Sequence, residues 1–480
     1  MAMQMLFTRL IGSANWDRVL SVISDGSGGV YVAGETTGEI DGQAINGEGD
    51  GFIARYDSEG NKTFTRLIGG EGYAYVAFAA SDGNGGIYAA GEEVGDLDGE
   101  ANNGECDVFI AHYDGEGNKA FSRLFGGASS ELVSSIISDD NGGVYVTGYT
   151  YGDLDGQANN GETDVYIAHY DSEGNKTFTE LIGGTSYDVA NCALSDGSGG
   201  VYIAGYISSD LDGQTNNGDG DGFIARYDSE GNRIFSSLIG GSSFEGIEFA
   251  ASDGTGGIFV AGETYGEIDG EAFNGESDVF IAHYDSEGNK TFTRLTGGES
   301  SDIIGSIISD GNGGIYVAGS THDRNGGAYD GFITHYDSEG NNTFTRLIGG
   351  FNAEFIRTLI PDGSGGIYVC GTTSSEFDGQ VNNGGDDVFI AHYDSEGNKT
   401  FTRLIGGEYD DYVMAAISDG NGGIYLAGGT YSDLDGQTNN GVADGFIARI
   451  SLEGDITDSD LTPPTLQSTT ASSNQLILTF

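Results

Sequence analysis

The sequence predicts an all-β chain, an eight-bladed β-propeller built of four-stranded antiparallel blades. Three observations predict it. A unit of about 57 residues recurs eight times, each unit divides into four short strand-like segments separated by glycine-rich turns, and the chain begins with the segment that its last unit lacks.

The count rests on two independent anchors. Tyr56, Tyr113, Tyr170, Tyr227, Tyr284, Tyr336 and Tyr393 each open a YDSEGN or YDGEGN turn, and Ile450 opens a degenerate copy, ISLEGD. The steps are 57 residues with a single step of 52. The aromatic of G[IV][YF] falls at Tyr31, Tyr88, Tyr145, Tyr202, Phe259, Tyr316, Tyr368 and Tyr425, again eight copies.

We label the strands of one unit a to d. In the third copy LVSSIIS (Leu132 to Ser138) reads as strand a and GVYVTGYT (Gly143 to Thr150) as strand b, with a hairpin turn between them. DVYIAHY (Asp164 to Tyr170) reads as strand c, and DSEGN turns the chain into strand d, KTFTELIG (Lys176 to Gly183). Strands such as YIAHY and FTELI carry bulky groups on both sides, so both faces of each sheet need a cover. Sheets covered by like sheets form either a closed ring or a linear stack. The chain ends discriminate. LFTRLIG (Leu6 to Gly12) is a strand d that precedes any a, b or c, and the last unit stops after strand c, GFIARI (Gly445 to Ile450). The first segment is expected to complete the last blade, leaving no edge strand unpaired. The competing donor, QLILTF (Gln475 to Phe480), needs about twenty linking residues where a hairpin uses about two to five. Strand a carries many small residues, as in NCAL and MAAI, which suits the innermost strand around the axis.

Composition narrows the partners. Seventy-five acidic residues against 18 Lys plus Arg give a formal charge of −57, a field that repels nucleic acid and attracts cations; simple solubility is the other use of such a surface. No apolar run reaches a membrane span, and MAMQMLFTRL lacks the form of an export signal. Cys106, Cys192 and Cys370 occupy three different repeat positions and predict no disulfide framework.

The unit SDGxGGIYVAGxT, followed by DxFIAxYDSEGN and FTRLIGG, resembles the SBBP repeats of bacterial β-propellers, over Leu6 to about Ser451. That family is named for seven blades, whereas this chain has eight copies. The copies carrying GDLDGQ and NNG are similar to those of large secreted or surface proteins, which implies an extracellular or cell-surface bacterial setting. The expected domains are a propeller over 6–451 and, over 452–480, a linker followed by the start of another β domain; from Thr465 the chain is similar to the first strand of immunoglobulin-like surface repeats. The ring is expected to be a monomer within a longer chain.

Two acidic sets are candidate sites. The b to c connection reads DxDGxxNNGxxD, and closely spaced carboxylates with a glycine are what calcium uses. The candidate metal ligands are Asp41, Asp96, Asp98, Asp153, Asp155, Asp210, Asp212, Asp269, Asp378, Asp433 and Asp435; the alternative is that Asp and Asn side chains cap tight turns. The last Asp of the pattern persists in all eight copies, including Asp330 in the shortened sixth loop, and reads as a fold determinant. The second set precedes strand a: Asp17, Glu131, Asp188, Glu245, Asp302, Glu354 and Asp411, with Ala74 breaking the series. These are expected to form an acidic ring at a mouth of the channel; capping of the preceding turn, or pairing with an Arg such as Arg66, is the alternative.

His112, His169, His283, His335 and His392 share one repeat position with Arg55, Arg226 and Arg449. A metal ligand or general base does not exchange with Arg, so these read as cationic partners of acidic loops. The chain is expected to be a non-catalytic binding or scaffold module with a protein or glycan partner. The rival is a carbohydrate-active enzyme using channel carboxylates, with Trp16, Tyr73, Tyr409, Asp17 and Asp411 as the residues to inspect.

Overall fold

A computed structural model describes residues 3–322, 328–350, 352–452, 468–472 and 475–479. Eight four-stranded antiparallel sheets follow one another in the chain. In the first blade strand a is Asp17–Ser24, b is Val30–Thr36, c is Asp50–Tyr56 and d is Lys62–Ile68, hydrogen-bonded in that order. In the third blade the strands are Glu131–Ser138, Val144–Thr150, Asp164–Tyr170 and Lys176–Ile182, within a residue of the expected limits.

The ring closes as the chain ends predict. Met3–Ile11 pairs antiparallel with Asp444–Leu452 as the outer strand of the eighth blade, beside Ile424–Thr430 and Asp411–Ser418. Strand a of the first blade in turn lies against Asp411–Ser418 and Ile424–Thr430 of the eighth. Gln475–Thr479 pairs instead with Ser468–Ser472 in a separate hairpin. The linker residues expected between them, 453–467, lie outside the described residues, as do 323–327 of the shortened sixth loop.

Strands b and c are almost wholly buried, whereas strand d starts with exposed residues. Burial happens between blades. One core cluster joins Phe7 and Tyr425 of the eighth blade to Val30 and Phe52 of the first, and seven similar clusters join the remaining neighbours. A blade alone leaves those faces in water, at about 1.5–3 kcal/mol for each large side chain. The repeat count is therefore a stability requirement.

The strand b aromatic adds a polar tie. The Tyr31 hydroxyl donates to the Gly85 carbonyl of the next blade at 2.7 Å, Tyr88 reaches Gly142, Tyr145 reaches Gly199, and Tyr425 reaches Gly28 across the closure. Phe259, at the same position, has no hydroxyl to offer.

Strand a holds one irregularity that repeats eight times. The register between strands a and b slips by one residue at Leu20, Ala77, Ser134, Asn191, Glu248, Gly305, Arg357 and Met414. An extra residue of this kind is a β-bulge, which strengthens the local twist. The residues before it, from Val19 to Val413, are buried, whereas none of the eight bulged residues is.

Candidate functional site

Three layers of polar residues lie around the ring, and each uses a repeat position differently. The b to c loop begins with a tight turn. Leu154 and Gln157 exchange both backbone hydrogen bonds, with Asp155 at φ 51° and Gly156 at φ 80° between them. Two left-handed residues in a two-residue hairpin form a type I′ turn, for which Asp-Gly is a preferred pair. The Asp155 carboxylate then meets Lys176 and Thr179 of strand d. Asp41 meets Lys62 at 2.5 Å and Thr65 at 2.6 Å, and Asp98, Asp212, Asp269 and Asp378 meet Lys119, Arg233, Lys290 and Lys399 in the same way. Burial raises the Asp41 carboxyl, but the bonds from Lys62 and Thr65 outweigh it and hold the group below its usual range.

The first acid of the pattern faces elsewhere. Asp96, Asp153, Asp210 and Asp433 each accept the backbone N–H of the first Asn of the NNG motif at 3.0 Å. The side chain of that Asn donates to the end of strand b, as Asn159 does to the Thr150 carbonyl. The two acids of one loop thus serve two different structural bonds. Among the described residues no three His, Cys, Asp or Glu side chains group as a metal site. Calcium takes six to eight oxygens, and this donor set, with a lysine or arginine already on the DG carboxylate in six of the seven loops and the Thr8 hydroxyl on Asp435 in the seventh, does not fit it.

The second acidic set lies elsewhere than expected. Asp17, Glu131, Asp188, Glu245, Asp302, Glu354 and Asp411 are fully buried, not ranged around an open mouth. Each carboxylate turns back to accept the N–H of the residue four places earlier, from Ser13 through Gly407, at 2.6–2.8 Å. Thr150, Thr264 and Thr373 of strand b add hydroxyl donors to Glu131, Glu245 and Glu354. Arg66 takes no part and donates to the Gly117 carbonyl.

Each of these acids sits against the invariant Asp that opens strand c of the preceding blade. At Gly126 a Cβ would lie 2.2 Å from Asp107 Oδ1 and 2.5 Å from Glu131 Oε2; at Gly183 it would lie 2.3 Å from Asp164 Oδ1 and 2.8 Å from Asp188 Oδ2. Only glycine admits two carboxylates at that point. Asp107, Asp164, Asp221, Asp278, Asp387 and Asp444 are buried, and the Oδ1 of each has no hydrogen-bond partner. Two carboxylates crowded in one buried place cannot both carry charge without a balancing cation or proton. The surrounding groups are N–H and O–H donors with no basic side chain among them, so protonation of one member is the simplest way to relieve the pair. Burial and the neighbouring acid push Asp188, Asp278 and Asp411 up to about 6.

The break at Ala74 is repaired across the strand pair. Ala74 lies opposite Glu93, where the other blades place an acid opposite Thr or Ile. Glu93 accepts the N–H of Gly70 at 2.8 Å and of Gly95 at 2.7 Å, and it faces Asp50, whose carboxyl burial raises to about 6. The acid has changed strands and kept its place. Sequence reasoning missed Glu93, although an acid appearing in strand b of the one copy without an acid in strand a was the available signal.

The histidine and arginine position meets the acidic loops, as expected. Arg55, Arg226 and Arg449 pair with Asp25, Asp196 and Asp419, and His112, His169, His283, His335 and His392 with Asp82, Asp139, Asp253, Asp310 and Asp362, at 2.8–3.0 Å.

One end of the innermost hairpins carries the exposed aromatics. Tyr187 and Tyr409 precede strand a, and Tyr151, Tyr265 and Tyr431 follow strand b; their exposures run from 38% to 59%. Trp16 lies at the same end under the Arg18 guanidinium, 4.9 Å from the ring centroid, and Tyr73 hydrogen-bonds Glu35. Asp17 and Asp411, buried below, are out of reach of a large ligand.

Comparison with known proteins adds a repeat and distant relatives. The beta-propeller repeat model SBBP matches residues 120–155. The chain is 24% identical over 500 residues to "Regulatory protein FlaEY" of Caulobacter vibrioides, over 88% of this chain and 50% of that protein, so it spans about half the length of that relative. Among solved structures, a eukaryotic initiation factor matches at a TM-score of 0.39 and 11% identity, covering 83% of this chain and 91% of that one. An acylaminoacyl peptidase of Pyrococcus horikoshii matches at 0.39 and 14%, covering 76% and 52%. Rhamnogalacturonan lyase YesW matches at 0.33 and 11%, covering 82% and 76%. The chain is thus an eight-bladed β-propeller in which one repeat length, residues 120–155, matches the SBBP beta-propeller repeat.

Proposed function

We propose that the ring is a non-catalytic binding or scaffold module of an extracellular or surface-attached bacterial protein, and that its tyrosine-bearing face meets a glycan or protein surface. The observation that carries this reading is the set Tyr151, Tyr187, Tyr265, Tyr409 and Tyr431, half exposed at one end of the innermost hairpins. Tyrosine offers a flat apolar face and a polar hydroxyl at little entropic cost, which suits both sugar rings and protein interfaces. The acidic surface keeps the module soluble and selects against nucleic acid. The likeness to a regulatory protein supports a binding role, and the resemblance to repeats of secreted proteins supports the compartment.

The test is binding of the chain to a glycan array and to intact bacterial envelopes. A variant with the five tyrosines changed to serine is expected to lose that binding while melting normally. Retained binding by the variant refutes the tyrosine face as the contact.

A further inference from the structure

The bulged residues of strand a carry no fold requirement in common, and they differ more than any other buried-strand position: Leu20, Ala77, Ser134, Asn191, Glu248, Gly305, Arg357 and Met414. Strand a of each blade lies against strand a of the next, so these residues encircle the axis. Between the fifth and eighth blades they enclose a cavity of about 430 Å³, lined by Glu248, Gly305, Arg357 and Met414 together with Phe249 and Phe355. That size is ordinary for a small-molecule pocket.

The chemistry of this cavity is polarised. Among the described residues the Glu248 side chain makes no hydrogen bond or ion pair, and burial with the nearby Glu263 raises its carboxyl to about 7. Glu263 is itself engaged by the Ile304 N–H and Tyr265. Arg357, exposed in the channel, makes no hydrogen bond, ion pair or ring contact among the described residues. The other channel positions are uncharged. Gly305 lies between the two, held as glycine because a Cβ there would come 2.3 Å from the Ile356 carbonyl oxygen. Arg9, Arg66 and Arg346 also lack an acid among the described residues, but each is held by backbone carbonyls, which Arg357 is not. Acid and base therefore line one space without meeting each other, together with aromatic and thioether surface.

We propose that the channel between the fifth and eighth blades binds a small zwitterion of the amino-acid class, its ammonium on Glu248, its carboxylate on Arg357 and an apolar side chain against Phe249, Phe355 and Met414. Bidentate recognition of a carboxylate by a guanidinium fixes one end, and an ammonium restores full charge to Glu248. The site is distinct from the tyrosine face, none of whose five tyrosines lines it.

The test uses the whole chain and the twenty L-amino acids, each titrated singly by ligand-observed NMR, with N-acetyl-leucine amide as a probe lacking both charges. The expected result is millimolar or tighter binding of an apolar amino acid such as leucine or phenylalanine, with no binding of the uncharged probe. Glu248→Gln and Arg357→Met are each expected to weaken it about 10- to 100-fold, the range for one bond to a charged group, without moving the melting midpoint. Ala77→Ser, across the channel, is expected to leave it unchanged. Absence of binding by all twenty, equal binding of the uncharged probe, or unchanged affinity in both charge variants overturns the proposal.

Discussion

Glu131 and Ser134 stand three residues apart on the same strand, and the ring treats them in opposite ways. The Glu131 position is an acid in seven copies, and in the eighth the acid crosses to Glu93 so that its place is kept. The Ser134 position is leucine, alanine, serine, asparagine, glutamate, glycine, arginine and methionine in turn. A junction between blades must be solved alike eight times, because one failed junction opens the ring. A residue facing the axis has no such duty. Repetition here marks architecture, and variation marks the surface free to recognise something.

The largest expected effect is at the junction. Glu131→Ala removes the acceptor of the Gly127 N–H and Thr150 hydroxyl and leaves Asp107 buried alone. We expect a loss of about 2–4 kcal/mol, read from urea melts, against less than about 0.5 kcal/mol for Ser134→Ala. Equal effects at the two sites would erase the contrast.

Next comes the strand swap. Glu93→Thr alone is expected to cost about 1–3 kcal/mol as Gly70, Gly95 and Asp50 lose their partner. Ala74→Asp added to it recreates the arrangement of the other blades and is expected to restore most of that loss. Two variants whose costs simply add would show that Glu93 does not stand in for the missing acid.

The third expectation concerns pH. Asp50, Asp188, Asp278 and Asp411 are raised to about 6 in the fold, above the unfolded value of about 4. The fold therefore binds more protons than the unfolded chain between about pH 4 and about pH 6, and stability falls as pH rises through that window. Carboxyls such as Asp82, held low against the pull of burial by His112 and backbone N–H groups, lose their contribution only in stronger acid. The melting midpoint is expected to be higher near pH 5 than near pH 8, and Asp188→Asn, which cannot ionise, to reduce the difference. A midpoint that rises from pH 5 to pH 8 would contradict protonated pairs at the junctions.

The smallest effect is at the loop tips. Asp98 and Lys119 are both about two-fifths exposed, so Asp98→Asn is expected to cost less than about 1 kcal/mol. Millimolar calcium or a chelator is expected to leave the midpoint unmoved, since a ligand selective for the native state would raise it.

Much of the fold was legible because it is periodic. The two anchors, Tyr170 and Tyr145 in the third copy, counted the blades, and LFTRLIG at the start announced the closing strand. The chemistry of the acids was less legible. Asp107 and Glu131 are 24 positions apart, and a pair formed across a blade boundary leaves no local spacing to read. The DG loop misled because Asp, Asn and Gly serve calcium sites and type I′ turns equally. A signal for its true partner was present: the sixth blade, which lacks the DG aspartate, has Asn342 where six others have Lys or Arg. The bulge was invisible because one extra residue in a strand changes no residue type that a pattern can detect.

The central claim is that the repeated residues hold the ring and the varied axial ones bind. It is tested most directly in a single variant with Leu20, Ala77, Glu248, Arg357 and Met414 all changed to serine, Gly305 being kept for the Ile356 carbonyl and Asn191 for its bond to the Ile247 carbonyl of the next blade. Its melting midpoint and its amino-acid binding are measured together. The account predicts a midpoint within a few degrees of the parent, since about 1 kcal/mol shifts a large domain by only about 2–4 °C, and complete loss of amino-acid binding. A chain that no longer folds, or one that still binds, would contradict it.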